Sequence, residues 1–294
     1  MVCVDSSVKT FAVRDYDLGA TLTSGQAFRW HRQEESWVGV IGERWVRLRS
    51  RGGRLTAETA EPVDDWDWLT YYLQLDLDLD RVLASFPADV PMQTAVGACR
   101  GLRLLRQDPW ECLASFILSS TKQILQIQQI ISALCRKYGT PVSAPPGCPT
   151  AYSFPTAERL ASVSEAGLRA CKMGFRAPFL SAAARSVAEG RLDLSVLPQR
   201  SLETARAELV KLRGVGPKIA DCVLLFAFGH QAAFPVDVWI MKVLRSFYFP
   251  NRKVGLRQLH QFAGSHFGPY AGYAQQYLFH YARSRLNRAQ RPKR

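Results

Sequence analysis

The segment Leu212-Arg213-Gly214-Val215-Gly216-Pro217-Lys218-Ile219-Ala220-Asp221 constrains this chain more than any other. The residues before it read as an amphipathic helix over about 201–212, with Leu202, Ala205, Leu209 and Leu212 on one side, and those after it as a second helix over about 218–228. Gly214 and Gly216 flank Val215 in the turn, where glycines permit positive φ and let a phosphate come close to bare amides. Val215 is placed to plug the hairpin core. The turn amides and the start of the second helix together form a natural anion site. An ordinary helical turn would need far less than L-x-G-V-G-x-K-x-A-D, so the segment reads as a helix-hairpin-helix that grips a DNA backbone.

Lys218 opens the second helix, and Asp237 follows it by nineteen residues within Phe234-Pro235-Val236-Asp237. A lysine is ordinarily an ammonium and no nucleophile. Partial burial and the positive end of a helix both favour the neutral amine, which can attack an electrophilic carbon and form a Schiff base. Pro235 fixes φ on the approach to Asp237. A carboxylate beside a developing sugar cation stabilises it and can shuttle protons. Each residue also has a plainer use: Lys218 as a phosphate ligand, Asp237 as the cap of the apolar run Val238-Trp239-Ile240-Met241. The pairing of the two favours chemistry over binding alone.

The bulk properties fit a polyanionic partner. The 294 residues suffice for two or three compact domains, and 47% of them are apolar, so a sizeable core can form. The formal charge is +13, with basic residues gathered near the hairpin and in the tail Arg283 to Arg294, which is half Lys and Arg and is expected to fray. The seven cysteines are odd in number and none are spaced C-x-x-C, which fits a reducing compartment and not a zinc or disulfide framework. No run of about 18 apolar residues suggests a membrane span, and no signal peptide is evident. The chain thus reads as intracellular, in the cytoplasm or nucleoid of a bacterium or the nucleus of a eukaryote.

Periodicity divides the chain. Residues 1 to about 60 read as strands: Ser36–Ile41 and Trp45–Arg49 form a hairpin across Gly42-Glu43, and Arg51-Gly52-Gly53 marks the next turn. One face of this sheet is expected to be polar. Helical patterns then begin, with a short helix over 65–73 and a helix start or loop at Asp76, Asp78 and Asp80, which lack the glycine and glutamate of a calcium loop. Asp108-Pro109-Trp110-Glu111 reads as a cap, a first-turn proline and a capping box. The stripe Leu113, Phe116, Ile117, Ile124, Ile127, Ile131, Leu134 follows, with a break at Ser119-Ser120-Thr121 and a stop at Gly139. Residues 141–149 read as loop, and further helices as about 156–171, 178–189, 201–212, 218–228, 237–247, 256–266 and 271–286. The expected class is α+β, mostly α: an N-terminal antiparallel β-sheet domain with short helices over 1–97, then a helical region over 98–294 made of two helical domains with the hairpin at about 201–228.

With these residues in view, the chain resembles the helix-hairpin-helix Gly/Pro–Asp (HhH-GPD) superfamily of DNA glycosylases, and within it the 8-oxoguanine DNA glycosylase/AP lyases. Ser24-Gly25-Gln26-Ala27-Phe28-Arg29-Trp30 resembles that family's S-G-Q-x-F-R-W segment, Phe116-Ile117-Leu118-Ser119-Ser120 its F-I-x-S-S segment, and Gly268 to Gln275 its G-P-Y-A-G-W-A-Q segment. The resemblance implies excision of 8-oxoguanine from duplex DNA through a lysine Schiff base, followed by β-elimination. It implies that Lys218 attacks C1′ with Asp237 as electrostatic partner. The Gly25 carbonyl would accept a hydrogen bond from N7–H of the oxidised base, where normal guanine has an acceptor, Gln275 would read the Watson–Crick edge, and Phe279 and Cys222 would sandwich the base. Gly214, Val215 and Gly216 would hold the backbone. Gly25, Cys222 and Phe279 taken singly are equally readable as packing or turn residues. No organic cofactor is implied; a structural metal ion at the hairpin carbonyls is compatible with the family. The implied partner is duplex DNA containing an oxidised purine, with no membrane, and the expected state is a monomer.

The chain departs from the family's common form at several DNA-facing positions. Thr121-Lys122-Gln123 stand where three asparagines are usual, one of which fills the gap left by the flipped base. Gln126 stands where an arginine reads the opposite cytosine, which predicts a weaker preference for cytosine; Arg176 remains a candidate for that contact. Phe175 occupies the place of an aromatic wedge, and Trp239 that of a histidine contacting phosphate. Two alternatives stay open. One is another glycosylase of the superfamily acting on a different damaged base. The endonuclease III branch carries four cysteines after the lysine, and here none follows Cys222; the alkylpurine branch usually lacks the lysine. The other is a non-catalytic hairpin module that only binds DNA.

Overall fold

The structure is a computed structural model and describes residues 7–289. Cys3, the start of the expected strand region and the last residues of the basic tail lie outside the described residues.

Five strands make one antiparallel sheet: β1 (Ser7–Ala12), β2 (His31–Gln33), β3 (Ser36–Ile41), β4 (Arg44–Arg51) and β5 (Arg54–Thr59), in the order β1-β5-β4-β3-β2. The β3–β4 hairpin turns at Gly42-Glu43, pairing Ile41 with Arg44. The β4–β5 hairpin pairs Arg51 with Arg54 across Gly52 and Gly53, both at positive φ, which two-residue turns demand and glycine supplies freely. Alternation sends Val46 and Leu48 inward with Leu55 and Ala57, while Arg47 and Arg49 lie on the other face. The inner face packs on α1 (Leu18–Thr23) and α2 (Asp67–Leu73).

Helix α1 falls in a region that reads as strand. Its six residues are too few to show a helical period, and it exists because Asp17 caps it, accepting the Ala20 amide at 2.8 Å. The helices α3 (Leu79–Ala84), capped by Asp78, and α4 (Val90–Cys99), capped by Asp89, lead to the main body. There α5 (Pro109–Ser119) is buried from Cys112 to Leu118. Asp108 caps it as expected, but the capping box does not form: Glu111 instead meets Arg29 of the N-terminal segment at 3.0 Å. A charge-assisted bond to a guanidinium outcompetes a bond to one backbone amide.

The stripe then breaks after Ser119 and resumes as α6 (Ile124–Tyr138), which stops at Gly139. The start of the expected loop, Pro141–Val142 (β6), pairs with Ala151–Tyr152 (β7) just beyond its end. The helix expected over 156–171 is two short ones, α7 (Ala157–Ala161) and α8 (Glu165–Arg169). Ser164 splits them by capping the second, accepting the Gly167 amide at 3.2 Å. The remaining helices are α9 (Ala177–Ala188), α10 (Leu202–Val210), α11 (Pro217–Phe226), α12 (Val238–Phe247), α13 (Leu256–His266) and α14 (Ala271–Ala289). The large core joins α5 and α11, packed on each other, to α4, α6, α9, α12 and α14.

The two larger hydrophobic cores are bridged by one buried side chain. Gln26 donates to the carbonyls of Thr21 (2.9 Å) and Arg103 (2.8 Å) and accepts from the Leu105 amide (2.8 Å), while its own carbonyl accepts from Gln107 (2.7 Å). Gln276 of α14 donates to the Ser24 carbonyl at 2.9 Å. The segment around Gly25 is thereby pinned to the last helix.

Candidate active site

The hairpin comprises α10, the turn and α11. Gly214 has φ +86°, and a Cβ there would sit 2.5 Å from the Phe179 ring, so both conformation and space require glycine. Gly216 is at φ −96°, ordinary extended backbone; of the two turn glycines only Gly214 uses the left-handed region. Val215 is buried, and its amide donates to the Leu212 carbonyl at 3.0 Å. Pro217 takes the first helical position, and Gly216 supplies no side-chain cap, leaving the leading amides of α11 without that partner. Asp221 ties the hairpin together: it is fully buried and receives a bond from Arg206 Nε of α10 at 2.6 Å.

Lys218 is half-buried at the start of α11, with Nζ 5.2 Å from the centroid of the Phe116 ring. Cys222 lies one turn further along the same helix and is buried. Desolvation pushes the Cys222 thiol up to about 12, against the pull of nearby Lys218, so it stays protonated and presents a neutral, polarizable wall. Asp237 caps α12, accepting the Ile240 amide at 2.8 Å. Burial raises its carboxyl above the ordinary aspartate range; hydrogen bonds from the α12 amides and the positive charges of Lys218 and Arg283 oppose that rise.

These groups line one pocket, completed by Gly25, Phe116, Phe226, Pro235, Gln275, Gln276 and Phe279. Gln275 is buried with Oε1 lacking any partner among the described residues, an acceptor left open in a site that faces the pocket. Gly25, at φ +81°, has Phe279 Cε1 and Arg283 Nη1 each 3.3 Å and Ile124 Cδ1 3.0 Å from where a Cβ would be. The cavity is small, about 40 Å³, and Phe279 and Arg283 crowd its edge beside Gly25. Larger clefts lie elsewhere, but none of them includes Lys218 or Asp237.

The six residues read as chemistry or base contacts, Lys218, Asp237, Gly25, Cys222, Gln275 and Phe279, thus share this pocket. The DNA-facing candidates fall in two other places. Trp239 sits half-buried on the first turn of α12 beside Asp237. Thr121, Lys122 and Gln126 lie at the break between α5 and α6, opposite Phe175 and Arg176 before α9. Gln126 is occupied locally, its Oε1 accepting the Gln123 amide at 3.1 Å to cap α6. Phe175 is 54% exposed, whereas Arg176 is 2% exposed and turned inward. Two residues of the site are not apparent from residue type. Phe116 is a platform under Lys218, and Arg283 stacks on Phe279 with its guanidinium carbon 5.3 Å from the ring centroid. Spacing gives one hint of the latter, since Arg283 follows Phe279 by one helical turn. Among the described residues no group of three or more His, Cys, Asp or Glu converges on a common point, and no helix is long and apolar enough to cross a membrane.

A lysine-bearing hairpin beside an aspartate-capped helix defines a class, the HhH-GPD superfamily base excision DNA repair proteins, and residues 114–263 match the model of that superfamily. Residues 10–113 match the 8-oxoguanine DNA glycosylase N-terminal domain, and the chain belongs to the 8-oxoguanine DNA glycosylase family within the HhH-GPD superfamily. A probable N-glycosylase/DNA lyase of Methanothermobacter thermautotrophicus is 30% identical, over 92% of this chain and 95% of its own length. N-glycosylase/DNA lyase OGG1 of Arabidopsis thaliana is 30% identical over 89% of this chain and 76% of its own. Among solved structures, the 8-oxoguanine glycosylase/lyase of Clostridium acetobutylicum, in complex with duplex DNA containing cytosine opposite 8-oxoguanine, superposes with a TM-score of 0.87 at 31% identity, covering 96% of this chain and 99% of that one. MBOgg1 in complex with a low-affinity DNA ligand gives 0.89 at 33% identity, with the same coverage.

Proposed function

We propose that this chain is a bifunctional DNA glycosylase and AP lyase that removes 8-oxoguanine from duplex DNA inside the cell. The observation that carries the reading is the convergence of Lys218, Asp237 and Gln275, from three different helices, on one pocket. A module that only gripped the backbone would need the hairpin turn and not a pocket that joins a lysine to a carboxylate.

The chemistry follows from the placement. The damaged nucleotide rotates out of the duplex, at a cost of a few kcal/mol, and its base enters between Cys222 and Phe279. The Lys218 amine forms a bond to C1′ as the N-glycosidic bond breaks, and the base departs with the bonding electron pair and takes up a proton. Asp237 stabilises the positive charge that develops on the sugar. Its raised carboxyl also makes it a better acceptor for the proton lost by the amine than an exposed aspartate would be. Opening of the sugar ring leaves an iminium between Lys218 and C1′. Loss of a C2′ proton then expels the 3′ phosphate and cuts the strand. The Gly25 carbonyl accepts from N7–H of the lesion, and the open Gln275 Oε1 accepts from its Watson–Crick edge. The turn at Ser120–Gln123 and the exposed Phe175 ring fill and wedge the duplex where the nucleotide has left.

Borohydride trapping on a duplex with a single 8-oxoguanine tests this. Wild type forms a covalent protein–DNA adduct, and Lys218→Gln forms none. An adduct of equal yield from the Lys218→Gln variant removes Lys218 as nucleophile. No adduct from either protein, together with no released base, leaves only a DNA-binding module.

A further inference from the structure

The chain turns sharply between α5 and α6, and Thr121 at its tip has φ +56°. A β-branched residue rarely adopts that conformation unless its surroundings hold it there. Arg176, fifty-five residues later, does so. One guanidinium nitrogen donates to both the Ser120 carbonyl and Thr121 Oγ1, the latter at 2.5 Å; the other donates to the Met173 carbonyl at 3.3 Å. Arg176 is 2% exposed, and no carboxylate is among its hydrogen-bond or salt-bridge partners in the described residues. This buried guanidinium meets only neutral oxygens, and its Nε has no partner among the described residues, so it is costly to build and the contacts of its two other nitrogens fix its place.

The same arginine belongs to a contiguous chain of contacts. Its guanidinium lies 4.2 Å from the centroid of the exposed Phe175 ring. Phe175 meets Phe179 edge-on at 6.2 Å, and Phe179 fills the space beside Gly214 in the hairpin turn. Packing therefore links the hairpin, the Phe175 ring and the Thr121 turn.

We infer that Arg176 is a positioning residue, a latch that presets the Ser120–Thr121 turn and ties it to the hairpin, and not a reader of the base opposite the lesion. The inference rests on the glycosylase reading, in which this turn fills the gap left by the rotated nucleotide. A latch acts before the identity of the opposite base matters. Its loss must therefore weigh equally on all four pairings, whereas a reader's loss falls on its preferred partner.

The test compares wild type, Arg176→Ala, Arg176→Lys and Thr121→Val on duplexes with 8-oxoguanine opposite C, A, G and T. Single-turnover excision is measured, together with binding to duplexes carrying a tetrahydrofuran abasic analogue opposite the same four bases. Arg176→Ala is expected to slow excision about tenfold or more by misplacing the turn, by a common factor for every opposite base. Thr121→Val, which keeps the branch but removes the acceptor oxygen, gives a smaller loss that is again uniform. Loss confined to cytosine, or no loss at all, overturns the inference. If Arg176→Ala fails to fold, Arg176→Lys and Thr121→Val carry the same comparison. Failure of wild type to excise 8-oxoguanine opposite any base sinks the glycosylase reading, while the abasic-analogue affinities still report on the latch.

Discussion

Asp237 does two things with one carboxylate. It caps α12 through the Ile240 amide, and it faces the pocket that holds Lys218. Asn caps a helix about as well as Asp, so Asp237→Asn separates the two. Stability by thermal melting should change by less than about 0.5 kcal/mol. Single-turnover excision should fall by roughly 100-fold or more, since the charge beside the developing cation is gone. A large drop in melting temperature with near-normal excision would reduce Asp237 to a structural cap. At this scale much of the pocket is legible in the sequence, because Lys218, Asp237, Gly25 and Gln275 each lie in a short ordered segment. Arg283 is not. In the sequence it is the first of six basic residues in a twelve-residue tail, and only the fold shows that it stacks on Phe279. Arg176 is legible as a candidate, but its inward direction depends on Ser120 and Thr121, which no local pattern connects to it.

At the scale of elements, the two hairpin helices are held by a charge pair that is only half satisfied. Asp221 Oδ1 bonds Arg206, while Oδ2 has no partner among the described residues. Desolvation raises the Asp221 carboxyl to about 6, against the opposing pull of Arg206. A folded pKa above the unfolded one means that the folded state binds the extra proton. The favourable contribution is then complete below about pH 4 and lost as pH rises through about 6. Wild type should therefore lose stability relative to Asp221→Asn between pH 4 and 7, by up to about 3 kcal/mol from two pKa units. Urea unfolding at several pH values measures this; parallel curves for the two proteins would sink it.

The hairpin helices themselves are readable from periodicity, with ends shifted by a residue or two. The elements that escape are those decided by caps and distant partners. Asp17 makes α1 too short to show a period, Ser164 divides α7 from α8, and Arg29 draws Glu111 away from its local capping role.

On the scale of the whole molecule, Gln26 is the joint. Its side chain satisfies backbone groups of both the N-terminal segment and the connection that leads into α5, in a site closed to water. Gln26→Leu keeps the approximate volume but orphans the Leu105 amide and two carbonyls. It should destabilise the protein by about 2–4 kcal/mol in denaturant titration. Excision should fall more than stability alone explains, because Gly25 immediately precedes Gln26 in the chain. A loss under about 0.5 kcal/mol would mean that the two cores dock without it.

The pocket is built from opposite ends of the chain. Gly25 and Phe279 approach each other across more than 250 intervening residues, and the Ser24 carbonyl is fastened to Gln276. Contacts so far apart in sequence form late in folding. A nascent chain halted after α13 already carries Lys218 and Asp237 but has no Gln275 and no Phe279. On the proposed reading, the nucleophile is thus translated before the groups that select its target, and the final helix completes the site.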